Sequence, residues 1–167
     1  MELPKTHEIL EKLAAAIRAE LTEDMVIVGI HTGGAWLARE LHRTLGLSSP
    51  LGTLDISFYR DDFERIGLHP EVKPSDIPFD VDGSDILLVD DVLFTGRTVR
   101  AAINELFDYG RPARVRLAVL VDRGGRELPI EAGFTGIRLD LDEHRMIDLL
   151  RNEIGELELK LRPETGV

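Results

Sequence analysis

The sequence has no cysteine, few basic residues and no long apolar run, and each absence narrows what the protein can be. Without cysteine the chain can form neither disulfides nor thiolate metal sites. Its 20 Lys and Arg face 31 Asp and Glu, and the formal charge of −11 disfavours generic attraction to nucleic acid or anionic membranes. No apolar run approaches the roughly 20 residues of a membrane span, and the N-terminus lacks a signal-peptide core. We therefore expect a soluble cytoplasmic protein with no membrane partner.

The length suits one domain. A chain of 167 residues that folds as a single unit buries about 70% of its unfolded surface, which is enough for a sizeable core. We predict a single domain over residues 1–167.

The most informative stretch runs from residue 86 to residue 98. It begins with an uninterrupted apolar run, Ile86–Val89, which is typical of a strand covered on both faces in a parallel sheet. Asp90 and Asp91 follow at the expected end of that strand, where open α/β sheets bind ligands. Such a pair could coordinate Mg²⁺, accept hydrogen bonds from sugar hydroxyls, or act as acid and base. It could also simply cap the next helix or form a turn.

Thr95, Gly96, Arg97 and Thr98 come directly afterwards and precede a predicted helix over residues 99–109. A loop of this composition can point successive backbone N–H groups at one phosphate, and the helix N-terminus adds a partial positive charge. Taken alone, a Thr-Gly dipeptide is an ordinary loop. The combination with the acidic pair is far more specific.

A second candidate phosphate loop follows the predicted strand Met25–Ile30. There Thr32, Gly33 and Gly34 lead into a helix that we expect to stop at Gly46. Two glycines expose backbone amides to a close ligand. The alternative is a plain strand-to-helix turn that uses glycine for tightness.

The order of apolar strand, acidic pair and Thr-Gly-Arg-Thr resembles the phosphoribosyl-pyrophosphate (PRPP) motif of type I phosphoribosyltransferases. The motif comprises Ile86, Leu87, Leu88, Val89, Asp90, Asp91, Val92, Leu93, Phe94, Thr95, Gly96, Arg97 and Thr98. Further segments are similar to the PyrR family, pyrimidine regulatory proteins related to uracil phosphoribosyltransferase: residues 54–62, 76–78, 110–112 and 120–130. The resemblance implies an α/β fold with a central, mainly parallel sheet flanked by helices, a flexible lid loop and a small hood.

The same resemblance implies a reaction and a role for each part of the site. Uracil and PRPP would give UMP and pyrophosphate, with Mg²⁺ as the cofactor. Asp90 and Asp91 would hold the ribose and help to place Mg²⁺, and residues 95–98 would hold the 5′-phosphate. Pyrophosphate would be received by Thr32, Gly33, Gly34 and Arg60, and the base pocket would be formed by Val121, Asp122 and Arg123. No residue is identifiable as a catalytic base.

Two departures from the relatives bear on substrate choice. Gly33 stands where the pyrophosphate loop commonly has Arg, so a guanidinium is lost unless His31 or a neighbouring subunit supplies charge. Phe94 stands where purine-salvage enzymes commonly place an Asp that addresses the purine ring. Because an apolar ring cannot act as a general base, Phe94 favours a pyrimidine substrate.

The sequence is compatible with other functions as well. Family membership allows UMP-dependent binding of pyr-operon mRNA, but the net charge disfavours it, and Gly125 stands where the RNA binders often carry His. Arg126, Arg138 and Arg145 could still make a local basic patch. The protein could instead be a catalytically weak or inactive UMP sensor, or a receiver-like module whose acidic pair binds Mg²⁺. The resemblance also implies a homodimer or higher oligomer, for which Trp36 and the apolar stripe of the first helix are the interface candidates.

The remaining elements follow from periodicity. Residues 6–21 form an amphipathic helix with Thr6 as its N-cap, residues 51–59, 113–121 and 134–139 are strands, and residues 60–78 are a lid in which Asp61 and Asp62 could help through Mg²⁺. Asp122 and Arg123 could pair with each other at the rim. Towards the C-terminus we weigh a hairpin of residues 145–150 and 156–161 against a helix over residues 143–154.

Overall fold

The computed structural model describes residues 1–57 and 75–162. Three helices and seven strands are defined within these residues. In chain order they are α1 (Thr6–Ala19), β1 (Met25–Ile30), α2 (Gly33–Thr44), β2 (Leu51–Leu54), β3 (Asp85–Leu93), α3 (Arg97–Tyr109), β4 (Arg114–Asp122), β5 (Phe134–Arg138), β6 (Ile147–Arg151) and β7 (Leu157–Leu161).

Five strands form one parallel sheet in the order β2-β1-β3-β4-β5. The predicted central strand, β3, lies in the middle, with Ile27 of β1 beside Leu87 and Leu117 of β4 beside Leu88. Because all five strands run in the same direction, the loops after β1, β3 and β4 gather at one edge of the sheet. The α/β prediction with a parallel sheet is confirmed.

Both faces of this sheet are buried, which explains the uninterrupted apolar runs of its strands. Successive side chains alternate between the faces. Leu87 and Val89 pack with α1 and α2 on one side, whereas Ile86 and Leu88 pack with α3 on the other. All four side chains are fully buried.

The C-terminal segment is the hairpin and not the helix. Strands β6 and β7 form a separate antiparallel pair that joins Ile147 to Leu161 and Arg151 to Leu157. The Asn152 side chain accepts hydrogen bonds from the backbone N–H groups of Ile154 and Glu156 and so closes the turn. Leu149 and Leu159 pack into the α1 and α2 side of the core, and we assign this hairpin as the small hood.

Two details of the predicted elements are wrong. Thr6 is the first residue of α1 and not its cap: Lys5 occupies the cap position, and the Thr6 hydroxyl instead accepts a hydrogen bond from the Leu159 N–H, 2.9 Å away. Strand β2 ends at Leu54, before the predicted end at residue 59, because the Asp55 carboxylate accepts the Ser57 N–H in a tight turn. Residues 58 and 59 lie outside the described part of the chain.

The apolar stripe of α1 is not free to form an interface. Ile9, Leu13, Ala14 and Ile17 are buried against the sheet and the hairpin of the same chain. Trp36 is partly exposed, and the Arg151 guanidinium lies 4.9 Å from the centre of its ring. None of the described helices is long and apolar enough to span a membrane. The single-domain assignment of residues 1–167 stays a prediction.

Candidate functional site

The two predicted phosphate loops are neighbours, because the start of α2 packs directly against the acidic pair. A Cβ placed on Gly33 would lie 2.3 Å from Oδ2 of Asp91. A Cβ on Gly34 would lie 2.5 Å from the Val89 carbonyl oxygen and 3.0 Å from Cα of Asp90. At Gly34 the obstructing atoms belong to the backbone, so this close approach requires glycine, whereas a side chain at position 33 would have to displace the Asp91 carboxylate.

Asp90 and Asp91 differ in their environment. Asp90 is buried, with 5% of its surface exposed, and its Oδ1 accepts the Asp91 N–H at 2.9 Å. Asp91 is partly exposed, and its Oδ1 accepts the Val92 N–H at 2.8 Å. The second oxygen of Asp91 faces Gly33. Asp91 is therefore the carboxylate that an incoming ligand reaches more readily.

The Thr95–Thr98 loop opens helix α3 as expected. Gly96 occupies the cap position with φ +92°, a left-handed conformation that glycine adopts without strain. The Thr95 hydroxyl accepts the Arg97 N–H at 3.2 Å, and the Arg97 side chain turns outward to pair with Glu127 at 2.9 Å. The Arg97 guanidinium is thus directed to Glu127, and the loop offers hydroxyls and amides to a ligand.

Helices α2 and α3 share an electrostatic feature that α1 lacks. Neither has an acidic residue in its first turn, whereas α1 carries Glu8 there. Acidic groups usually compensate the positive end of a helix. The open N-termini of α2 and α3 lie at the ligand-binding edge of the sheet, which suits the binding of two anionic groups.

The predicted base-pocket residues occupy different settings, and two of them, Val121 and Arg123, are buried. Val121 is fully buried in the core, so only its backbone could face a ligand. Asp122 does not pair with Arg123; it accepts two hydrogen bonds of 2.7 Å from Nη2 of Arg126. Burial raises the pKa of the Asp122 carboxyl, but the hydrogen bonds from Arg126 and from the Gly124 N–H outweigh it and lower that pKa overall.

Arg126 is a structural residue whose role the sequence did not indicate. Its Nη1 donates to the Phe94 carbonyl oxygen at 2.7 Å, and its Nε donates to the Ile130 carbonyl oxygen at 3.0 Å. Together with the Asp122 pair, these bonds tie the loop after β4 to the PRPP motif. The Arg126 guanidinium is therefore already engaged in hydrogen bonds within the fold, and the predicted basic patch would have to use the same group. An arginine one turn after a strand-end Asp is the signal that could have found this clamp.

Arg60, Asp61, Asp62 and the predicted lid as far as residue 74 lie outside the described residues, whereas residues 75–78 of that segment are described. The described ends on either side of it are close together: the Asp55 N–H donates to the Ser75 hydroxyl at 3.0 Å, and Thr53 and Asp76 exchange two backbone hydrogen bonds of 2.8 Å. Ser75 in turn donates to Glu105 of α3 at 2.7 Å.

The comparisons with known proteins agree with this geometry. The family model of the phosphoribosyl transferase domain matches residues 2–148. A protein named Bifunctional protein PyrR from Pseudomonas paraeruginosa is 53% identical over 154 residues, which cover 90% of this chain and 91% of that protein. Its namesake from Pseudomonas fluorescens is 48% identical over 96% of this chain and 98% of its own length. The chain belongs to the PyrR family of phosphoribosyltransferases.

Solved structures give the same fold assignment. A hypoxanthine-guanine phosphoribosyltransferase from Bacillus anthracis superposes with a TM-score of 0.67 over 84% of each chain, at 20% identity. A purine phosphoribosyltransferase from Pyrococcus horikoshii gives a TM-score of 0.62 at 25% identity, over 81% of this chain and 83% of that one. The type I phosphoribosyltransferase fold is therefore confirmed, and the receiver-like alternative is wrong. The PyrR family membership makes the protein a transferase.

Proposed function

We propose that this PyrR-family protein is a uracil phosphoribosyltransferase that converts uracil and PRPP to UMP and pyrophosphate. The observation that carries the proposal is the contact of the Thr32–Gly34 loop with the Asp90–Asp91 pair. PRPP bears a 5′-phosphate and a diphosphate on opposite sides of one ribose. Two anion-binding helix N-termini with a carboxylate pair between them match that arrangement of charges.

Each part of the site then has a role. The 5′-phosphate lies on the Thr95–Thr98 loop at the start of α3, and the ribose hydroxyls donate to Asp90 and Asp91. Pyrophosphate leaves over the Thr32–Gly34 loop, where the amides at the start of α2 stabilise the developing negative charge. Arg60 is proposed to add a cation from the lid. The protein contributes mainly by holding the base, the sugar and the leaving group in register.

Mg²⁺ is the proposed cofactor, bound largely by the substrate. The described residues contain no cluster of three or more metal-binding side chains, so a cage made of protein alone is absent from that part of the chain. Mg²⁺ is commonly held by one or two carboxylates together with substrate phosphates and water, and the partly exposed Asp91 fits that mode. When bound, the ion would neutralise charge on the departing diphosphate.

Phe94 supports a pyrimidine as the base. Phe94 occupies the position at which purine-salvage enzymes with a similar motif commonly carry an Asp. Its ring packs against Arg123, and the centre of the ring lies 3.9 Å from Cζ of that guanidinium. The position therefore offers an apolar surface and no general base. Cytoplasmic location and a homodimer or higher oligomer remain part of the proposal.

The decisive experiment measures pyrophosphate release from PRPP and Mg²⁺ with uracil, orotate, hypoxanthine or no base. We expect release that depends on uracil and is at background level with hypoxanthine. Release with hypoxanthine but not uracil would refute the pyrimidine assignment. No release with any base, combined with a higher melting temperature in UMP, would identify a nucleotide sensor that has lost the chemistry.

A double variant tests the placement of the site. Asp91→Asn with Thr98→Ala should abolish UMP binding in calorimetry while the protein stays folded, because both changes remove ligand contacts at a partly exposed surface. The matched control is Asp108→Asn, an exposed position near the other end of α3 with the same loss of charge. UMP affinity equal to wild type in the double variant would mean that the site lies elsewhere.

A second candidate function is the regulatory one, UMP-dependent binding of pyr-operon mRNA. It is favoured by the name of the relatives, Bifunctional protein PyrR, whose sequences are 48% to 53% identical to this chain. The charge of −11 and the engagement of Arg126 within the fold weigh against a strong electrostatic contribution. The test is binding of a pyr-leader hairpin over a salt series with and without UMP. Absence of binding at low salt would remove this role.

A further inference from the structure

Phe94 lies in a slot formed by Arg123 and Gly125. The centre of its ring is 3.9 Å from Cζ of the Arg123 guanidinium, a distance typical of a cation–π contact. A Cβ on Gly125 would lie 2.4 Å from Cε2 and 2.8 Å from Cδ2 of the same ring. The ring therefore stays in place only if residue 125 has no side chain.

Arg123 is itself buried, with 3% of its surface exposed. Its Nη1 donates to the Arg145 carbonyl oxygen at 2.6 Å, and its Nη2 donates to the Asp142 carbonyl oxygen at 3.0 Å. Nε has no hydrogen-bond partner among the described residues, and no ion pair of Arg123 occurs there. A guanidinium with so little exposure does not act as a surface contact for pyrophosphate; it holds two parts of the chain together.

Those two parts are the PRPP motif and the segment of residues 142–146 that leads into β6. Phe94 directly precedes the Thr95–Thr98 loop and follows Asp91 by three residues, so in the chain it lies between the residues proposed to contact the phosphate and those proposed to contact the ribose. Residues 142–146 connect the sheet to the hood. Arg123 bridges them through a ring contact on one side and carbonyl hydrogen bonds on the other.

We propose that Arg123 is a positioning residue for the pyrimidine base, which acts without touching it. It fixes Phe94 as the apolar wall of the base subsite and fixes residues 142–146 beside that wall, and Gly125 provides the space that the ring needs. The inference rests on the proposed function. It predicts that disturbing the slot weakens uracil binding and leaves PRPP binding unchanged, because the phosphate loops do not depend on the ring.

The chain offers a matched pair of glycines for the test. Gly124 and Gly125 have nearly the same φ, +71° and +76°, so alanine meets left-handed strain at both. Only Gly125 faces Phe94; the nearest atom to a Cβ on Gly124 is Oδ1 of Asp140, 3.9 Å away. Comparing the two variants separates displacement of the ring from strain of the loop.

The experiment measures kcat and the KM of each substrate for wild type, Gly125→Ala and Gly124→Ala. We expect Gly125→Ala to raise the KM for uracil by about tenfold, as for the loss of one aromatic contact, with little change in kcat or in the KM for PRPP. Gly124→Ala should keep the wild-type KM for uracil. Equal effects of the two variants, or parallel changes in both KM values, would overturn the inference while the proposed function stands.

A second pair of variants tests Arg123 directly. Arg123→Met removes the cation and its hydrogen bonds at similar length and should raise the KM for uracil, whereas Arg123→Lys should restore part of the affinity. Equal KM values for Lys and Met would refute a role for the cation. If the wild-type protein releases no pyrophosphate with uracil, the proposed function fails, and this inference fails with it.

Discussion

Gly33 and Gly34 are adjacent but differ in what surrounds the space for a side chain. At Gly34 the neighbours are the backbone atoms of β3, which cannot move without breaking the sheet, whereas at Gly33 the neighbour is the carboxylate of Asp91, which can rotate. We expect Gly34→Ala to cost about 2 kcal/mol of unfolding free energy through overpacking. Gly33→Ala should cost less but raise the KM for PRPP, because Asp91 is pushed from its place.

Urea unfolding and PRPP kinetics distinguish these two outcomes. Gly133→Ala is the steric control, since the nearest atom to its Cβ is the Leu117 carbonyl oxygen at 3.8 Å. If Gly34→Ala were as stable as that control, the close packing of α2 on β3 would be disproved.

Arg126 permits a prediction about a single ionisable group. In Arg126→Gln the burial of Asp122 is no longer opposed by the guanidinium, so the pKa of this carboxyl should rise above its wild-type value. The variant should also lose about 2 kcal/mol of unfolding free energy with the bonds to the Asp122 carboxylate and the Phe94 and Ile130 carbonyl oxygens. Carbon-detected titration of the Asp carboxyls measures the shift, and an unchanged Asp122 pKa would contradict the pairing.

At the scale of elements, one hydroxyl adds a hydrogen bond to the apolar packing between α1 and the hood. Thr6 accepts the Leu159 N–H, so Thr6→Val should leave that amide without its acceptor and cost about 1 kcal/mol. Hydrogen exchange of the Leu159 amide should become faster. Thr6→Ser keeps the acceptor and is the control; equal exchange rates in the two variants would show that the bond contributes nothing.

The same elements show what periodicity could and could not predict. The central strand and the three helices follow from their apolar spacing, because burial imposes a period of two or of 3.6 on the residues involved. The role of Thr6 could not be predicted, since its partner is 153 residues away in sequence. The end of β2 was missed because a local Asp55 turn outweighs the β-branched and aromatic residues that follow.

In the candidate site, too, some features could be predicted from the sequence and others could not. The PRPP motif and the glycine loop were recognisable because the chemistry of each is contained in consecutive residues. Their contact, the Arg126 clamp and the Phe94 slot depend on residues from three separate loops that only the parallel sheet brings to one edge. No spacing within a single segment encodes such a contact.

At the scale of the whole molecule, the excess of acidic residues sets the dependence of stability on pH. The formal charge is −11, so lowering the pH from 7 towards 5 reduces self-repulsion and should not destabilise the protein. Hydrogen bonds from Arg114 and from Arg162 lower the pKa of Asp85 and of Asp148, respectively, below the ordinary value of 3.8. A carboxyl whose pKa is lower in the folded state contributes stability that is complete above its unfolded pKa and is lost as the pH falls through the folded one.

We therefore expect the melting temperature to stay constant or rise slightly as the pH is lowered from 7 to about 5, and to decrease below roughly pH 4. The double variant Asp85→Asn with Asp148→Asn should have a lower melting temperature than wild type at neutral pH. Its melting temperature should decrease less than that of wild type on acidification. Asp108→Asn with Glu153→Gln, two exposed positions with the same change of charge, is the control and should follow the wild-type curve. If the melting temperature of the double variant decreased as much as that of wild type below pH 4, acid unfolding would be driven by net charge and not by the ion pairs of Asp85 and Asp148.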